Sequence, residues 1–181
     1  VTLGALTAAA VVTGVGMCID AQLDATPESG GGLGRNPTMR RCLLVPGNIA
    51  WDGCDCGQLA LTIQRIYPSQ RFPGDQSEEP ATGGCAVGPR AVQALASLTR
   101  CVPALKVSLG GQGVIPSCAD LLPAGIVMAA DAYAMDLAVR CCLAQFKTDR
   151  VIWDYRVGGV NFVGPEGACA GVELTFKFQL M

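Results

Sequence analysis

Residues 46–73 read PGNIAWDGCDCGQLALTIQRIYPSQRFP and contain a tryptophan, a Cys-x-Cys and the clearest internal strand pattern of the chain. From Gln58 the apolar residues alternate, with Leu59, Leu61 and Ile63 in one stripe and Thr62, Gln64 and Arg65 largely outside it. Such alternation predicts a half-buried strand, because successive side chains point to opposite faces of a sheet. Tyr67-Pro68 closes it, since proline cannot donate to a ladder and biases its predecessor away from helix. An earlier strand-like run, Met39 to Val45, pairs with it in the simplest reading as an antiparallel partner. The connection from Pro46 to Gly57 is long for a hairpin, and long loops in compact domains tend to be working surfaces. Trp51 in that loop reads as a lid over the sheet edge or an anchor for a neighbour.

Outward from this stretch the pattern alternates between helix and strand. Val1 to Ile19 carries no charge, and the first basic residue is Arg35, so the basic flank of a signal peptide is missing. Gly4, Gly14 and Gly16 dilute the run, which therefore predicts a buried helix rather than a membrane span. Glu28 to Pro37, ESGGGLGRNP, is a linker: a phosphate-cradling glycine loop needs a strand before it and a helix after it, and here the order is reversed. Gln70 to Gly84 is polar, with Asp75, Glu78 and Glu79 clustered, and reads as a solvated loop or as a contact arm. Gly88-Pro89 predicts a helix start, with Val92, Leu95, Ala96, Thr99 and Val102 as its stripe and Pro103 as its end. Ser117 and Asp120 have capping-box spacing before a short turn, and Pro123 opens a long apolar helix to about Lys147. Asp131 and Asp136 on that helix do not share a face, so they form no carboxylate pair, while Asp136 and Arg140 are an i,i+4 ion pair.

The end is β. Val151, Trp153, Tyr155 and Val157 alternate with Ile152, Asp154 and Arg156, and Val172, Leu174, Phe176, Phe178 and Leu180 alternate with polar residues without interruption. Between them, Gly158 to Gly171 reads as a glycine-rich excursion with Asn161, Phe162 and Glu166, and a Phe at its tip suits docking. The expectation is an α+β fold in the order α-β-β-α-α-β-β, a mostly antiparallel sheet of about four strands with helices on one face. The chain forms one domain over 1–181, with an N-terminal helix (1–26), a Gly-rich linker (27–38) and an α+β body (39–181).

Composition narrows the function. Only 15% of residues are charged while 50% are apolar, and the mean hydropathy is +0.37. That excess implies burial between subunits. The net charge is −2 and Arg40-Arg41 is the only basic doublet, so no stripe for gripping nucleic acid is legible. The chain has no histidine, which removes the usual general base, the Ser-His and Cys-His pairs and every His-containing metal site. The reading is a non-enzyme with no catalytic residues, cofactor or metal. Cys18, Cys101, Cys141 and Cys142 lie in helical, apolar surroundings, where free cysteine packs as a small hydrophobe, so most of the ten cysteines are expected as thiols. A zinc cluster of Cys54 and Cys56 with Cys85 or Cys118 lacks a matching second pair. A cysteine nucleophile at Cys54 or Cys56 is opposed by Asp52 and Asp55, whose charge raises a thiol pKa.

The motif W-D-x-C-x-C-G-Q-L (Trp51–Leu59) followed by Y-P-S-x-x-F-P (Tyr67–Pro73) resembles the tail terminator family of long non-contractile-tailed actinobacterial phages. The ending VGGVNFVGPEGACAGVELTFKFQL is similar to that family's closing hairpin. The resemblance implies a homo-oligomeric ring, commonly a hexamer, in the virion neck at the tail end, assembled in the bacterial host cytoplasm. Such a ring ends tail-tube polymerisation, contacts the tail-tube protein and the head-completion or stopper protein, and lets DNA pass without specific binding. No membrane is implied. The contact residues expected from the loops are Trp51, Arg71, Phe72, Asp75, Glu78, Glu79, Asn161, Phe162 and Glu166. The extra length leaves a neighbouring role open, as head-to-tail adaptor, stopper or tail-completion protein. A cysteine-rich secreted or redox binding module is the reading from a different class.

Overall fold

The computed structural model describes residues 3–26, 40–47, 57–74, 88–103, 106–107, 113–166 and 168–181. Helix α1 (Leu3–Ala25) is followed by strands β1 (Arg40–Val45), β2 (Gln58–Pro68) and β3 (Arg90–Cys101), then the two-residue strands β4 (Lys106–Val107) and β5 (Gly113–Val114). Helix α2 (Cys118–Thr148) and strands β6 (Ile152–Glu166) and β7 (Cys169–Leu180) complete the chain. The fold is α+β. Its main sheet has five strands in the order β1-β2-β3-β7-β6, and β4 and β5 pair separately.

Several expectations need correction. The first concerns Arg90–Cys101, which is a central strand and not a helix. Its alanines fit a helical period, yet Ala91, Val92, Ala94, Ala96 and Leu98 are all buried between β2 and β7, and tertiary burial overrides weak local propensity. Among the described residues the main sheet therefore has five strands instead of four, and there are two helices instead of three. Second, β1 pairs with β2 in parallel, Arg41 aligning with Leu59 and Cys42 with Ala60. A parallel pair needs a crossover of about a dozen residues, and the long connection to Gly57 supplies that length. Third, Gly158 to Gly171 is no open excursion: β6 runs to Glu166, and Gly158 and Gly159 sit at a register shift within the strand.

Both helices pack on one face of the sheet. On that face Val92, Ala94, Ala96 and Leu98 align with Phe178, Phe176, Leu174 and Val172, small residues of β3 beside large ones of β7. Leu59, Leu61 and Ile63 join them from β2, as the alternation requires. Burying Phe176 and Phe178 contributes roughly 1.5–3 kcal/mol each. Helix α1 is long and apolar enough to cross a membrane, and in this fold Ala8, Val11, Val12, Val15, Ile19 and Leu23 lie in the protein core. Its glycines allow close approach: a Cβ at Gly14 would stand 2.7 Å from Phe146 Cζ of α2, and one at Gly16 would stand 2.9 Å from Leu43 Cδ2 of β1.

The Ser117–Asp120 capping box forms as the spacing predicts, but it starts α2 itself: Cys118 to Thr148 is one helix with Pro123 inside its early turns. Cys18 of α1 and Cys142 of α2 are joined by a disulfide with Cα atoms 6.3 Å apart, correcting their reading as packing thiols. Cys169 is also disulfide-bonded, while Cys42, Cys118 and Cys141 are free thiols.

Candidate assembly surface

The exit of β2 builds a strap. A register shift between Ile63 and Arg65 leaves Gln64 as an extra residue, so Tyr67 falls on the face opposite the helices. The Tyr67 hydroxyl donates to the Pro73 carbonyl at 3.4 Å, and the Ser69 hydroxyl donates to the Gly74 carbonyl at 2.7 Å. The Gly74 N–H donates to the Arg71 carbonyl at 2.8 Å, closing a tight turn around the cis Phe72–Pro73 peptide. Two further bonds pin the strap to the sheet. The Ser69 N–H donates to the Pro89 carbonyl at 3.0 Å, and Gln179 Nε2 of β7 donates to the Ser69 carbonyl at 2.9 Å. Ser69 is fully buried and Gln179 nearly so, which makes this a load of polar groups satisfied by one another.

Phe72 carries the strap on to the edge strand. The Arg156 guanidinium of β6 lies 5.6 Å from the Phe72 ring centroid, within cation–π range. Arg156 Nη1 also donates to Asp154 Oδ2 at 2.9 Å, and Lys147 Nζ of α2 donates to Asp154 Oδ1 at 2.8 Å. These groups border an open cleft of about 750 Å³ between the end of α2 and the start of β6, lined also by Arg140, Thr148 and Tyr155. The Lys147 ammonium holds the Asp154 carboxyl below its ordinary pKa, helped by a backbone N–H at Tyr155 and the charges of Arg156 and Lys147. Arg140 is held above its usual range by its hydrogen bonds to Asp136. In the cleft the Thr148 hydroxyl donates to the Ala144 carbonyl, and the Asp154 carboxylate is engaged by Lys147 and Arg156.

The expected contact residues fall into three groups. Arg71 is exposed and Phe72 half-buried, both in the strap. Asn161 and Phe162 lie in β6 opposite Glu173 and Val172, exposed on an edge strand and not on a loop tip, and Phe162 is 60% exposed. Glu166 is the last residue of β6, opposite Cys169. Trp51, Asp75, Glu78 and Glu79 lie outside the described residues, as do Cys54, Cys56 and Cys85. The structure brings Phe72 to Arg156 but leaves Phe162 about 20 Å further along the strand. Sequence reasoning missed Arg156 and Gln179, which only the sheet order brings to the strap, and Asp154 and Lys147, which join Arg156 at the cleft.

Two other features stand out. Asp131 is 1% exposed and receives Arg100 Nη2 at 2.9 Å and Arg100 Nε on its other oxygen, so the acid that shared no face with Asp136 ties α2 to the end of β3. On the face away from the helices, Thr62 Oγ1 and Ser97 Oγ are buried with no hydrogen-bond partner among the described residues. No group of three metal-ligating side chains converges among the described residues. No protein-family model and no curated protein matches the chain.

Proposed function

We propose that the protein is a structural subunit of a phage neck, a tail terminator whose ring ends tail-tube polymerisation and joins the tail to the head-completion complex. The observation that carries this reading is the stretch from Trp51 to Pro73. Its W-D-x-C-x-C-G-Q-L and Y-P-S-x-x-F-P motifs resemble that family. The second motif builds a strap that presents Phe72 and Arg71 beside the β6 edge. An apolar composition, exposed apolar residues such as Trp153 at 65% and Phe162 at 60%, and the lack of histidine support an assembling scaffold over a catalyst. Within this reading the chain is a homo-oligomer, commonly a hexamer, in contact with the tail-tube and stopper proteins. A neighbouring adaptor or tail-completion role would use the same surfaces.

Imaging of intact particles with the protein labelled tests this. The expected result is a single ring at the tail–head junction in a fixed small copy number; a protein that never enters particles and stays monomeric overturns it. A secreted disulfide-bonded module is the second reading, and the Cys18–Cys142 bridge favours it. Ten cysteines less the free Cys42, Cys118 and Cys141 leave seven, of which at most six can pair within the chain, fewer than a fully bridged framework. Intact-mass thiol counting on protein taken directly from reducing cytoplasm and from outside the cell separates the two.

A further inference from the structure

Helix α2 has a second apolar face. Its inner face packs on α1, β6 and β7, yet Leu122, Ile126, Tyr133 and Leu137 are 64%, 54%, 72% and 37% exposed. At 100° per residue these four point within about 60° of one another, with Ala129 and Ala130 midway along the stripe and about 20° to either side of it. From Leu121 to Met135 the only charged residue is Asp131, which is buried inward against Arg100. Charge returns only at the C-terminal end of the stripe, where Asp136 and Arg140 pair with one another beside Leu137, and the apolar run before it is a contact surface awaiting a partner.

The stripe is symmetric about its own centre. Outward from Ala129 and Ala130 the large residues recur at the same spacing in both directions: Ile126 and Leu122 toward the N-terminus, Tyr133 and Leu137 toward the C-terminus. The two i,i+4 rows, Leu122–Ile126–Ala130 and Ala129–Tyr133–Leu137, exchange when a second copy is laid antiparallel across the first. Rows of this kind are the ridges that interdigitate in the commonest class of helix packing, crossing at about 50°. The alanines fall at the crossing, where small side chains let two backbones approach, and Ile126 of each copy meets Tyr133 of the other. An isologous contact requires this self-complementarity, in which residue i meets j and j meets i.

We propose that the outer face of α2 binds a second copy of this chain in an antiparallel, two-fold helix pair centred on Ala129–Ala130. The contact covers a few turns of helix, well below the roughly 800 Å² per partner of a standard interface, so the pair is weak and concentration-dependent. It uses a surface apart from the strap and closes on itself at two copies, whereas a ring needs a head-to-tail contact. The pairing therefore stands independently of the ring reading.

Sedimentation equilibrium of the full chain, compared with the I126E/Y133E variant, tests it. Both substituted positions are exposed, and circular dichroism checks that the variant folds. Wild type is expected to show a reversible monomer–dimer equilibrium, weakened roughly tenfold or more in the variant. In A129C, oxidation and peptide mapping are expected to find a 129–129 cross-link, which only a two-fold centred there supplies. Wild type that remains monomeric at about 0.5 mM, corresponding to a dissociation constant weaker than any useful contact, overturns the proposal. So does an unchanged equilibrium in I126E/Y133E, or a dimer whose A129C chains never cross-link. Rings that form in I126E/Y133E while the dimer is lost support both readings; a dimer without rings in particles supports the pairing and overturns the ring alone.

Discussion

Arg100 and Asp131 hold β3 to α2 through a two-pronged ion pair in which the carboxylate is 1% exposed and the guanidinium side chain 13%. Removing one partner takes this ion pair away from the other charge in a site largely closed to water, which costs about 3–5 kcal/mol. Asp131→Ala is expected to lower the free energy of unfolding by that amount in urea melts. The double change Arg100→Met with Asp131→Leu should recover most of the loss, because an apolar pair of similar volume leaves no charge to desolvate.

Cys18 and Cys142 close a loop of 124 residues between the two helices. Constraining so long a loop in the unfolded chain is worth about 5 kcal/mol on the chain-entropy account. A C18A/C142A variant, or wild type in a strong thiol reductant, should lose several kcal/mol of unfolding free energy by urea denaturation. A reductant that leaves the midpoint of C18A/C142A unmoved while lowering that of wild type would assign the effect to this bridge.

Gly171 of β7 lies against β3 so closely that a Cβ there would stand 2.4 Å from the Leu98 carbonyl oxygen. The obstacle is backbone inside the sheet and cannot swing away. Gly171→Ala is expected to destabilise the protein by about 3 kcal/mol, against less than that for Gly14→Ala, where the neighbour is the tip of the Phe146 ring. Thermal melts of the two variants side by side read the difference.

Gln179 holds the strap by a bond to the Ser69 carbonyl, and both residues are buried. Gln179→Leu leaves that carbonyl unsatisfied, at about 1–3 kcal/mol. The strap should loosen more than the fold does: amide exchange at 69–74 is expected to accelerate, while exchange in the central strands follows only the global loss.

Asp154 has a folded pKa below its unfolded value, chiefly through the hydrogen bond from Lys147. A depressed carboxylate contributes stability that is complete above its unfolded pKa of about 3.9 and lost as pH falls through the folded value. Asp154→Asn should therefore weaken the protein at neutral pH and make little difference at about pH 2. Urea midpoints of the two proteins across that range are expected to converge toward acid.

The coarse class was legible where alternation was strict. Val172 to Leu180 points five apolar residues at the helices, and no helical period competes with that pattern. Arg90–Cys101 carries two periods at once, because alanine suits both a helix and the crowded centre of a sheet, and its neighbours decided between them. The parallel setting of β1 on β2 depends on where a twelve-residue connection travels, and residue order does not encode that. The strap was partly legible, since Tyr67-Pro68 ends its strand as expected. Its anchors were not: Gln179 is 110 residues from Ser69, and its alternating position marked it only as polar.

Strand β7 occupies an interior place in the sheet, between β3 and β6, while helix α1, which leaves the ribosome well before it, packs against β7 as well as β1, β2 and β3. A ribosome therefore releases α1 long before the strand that completes its seat exists. Until then its apolar face has only partial cover, and folding must wait for contacts between α1 and the distant β7, which slows the rate-limiting search. Nascent chains stalled before residue 169 should be chaperone clients, and the speed of translation through β7 should govern yield more than any change at the surface.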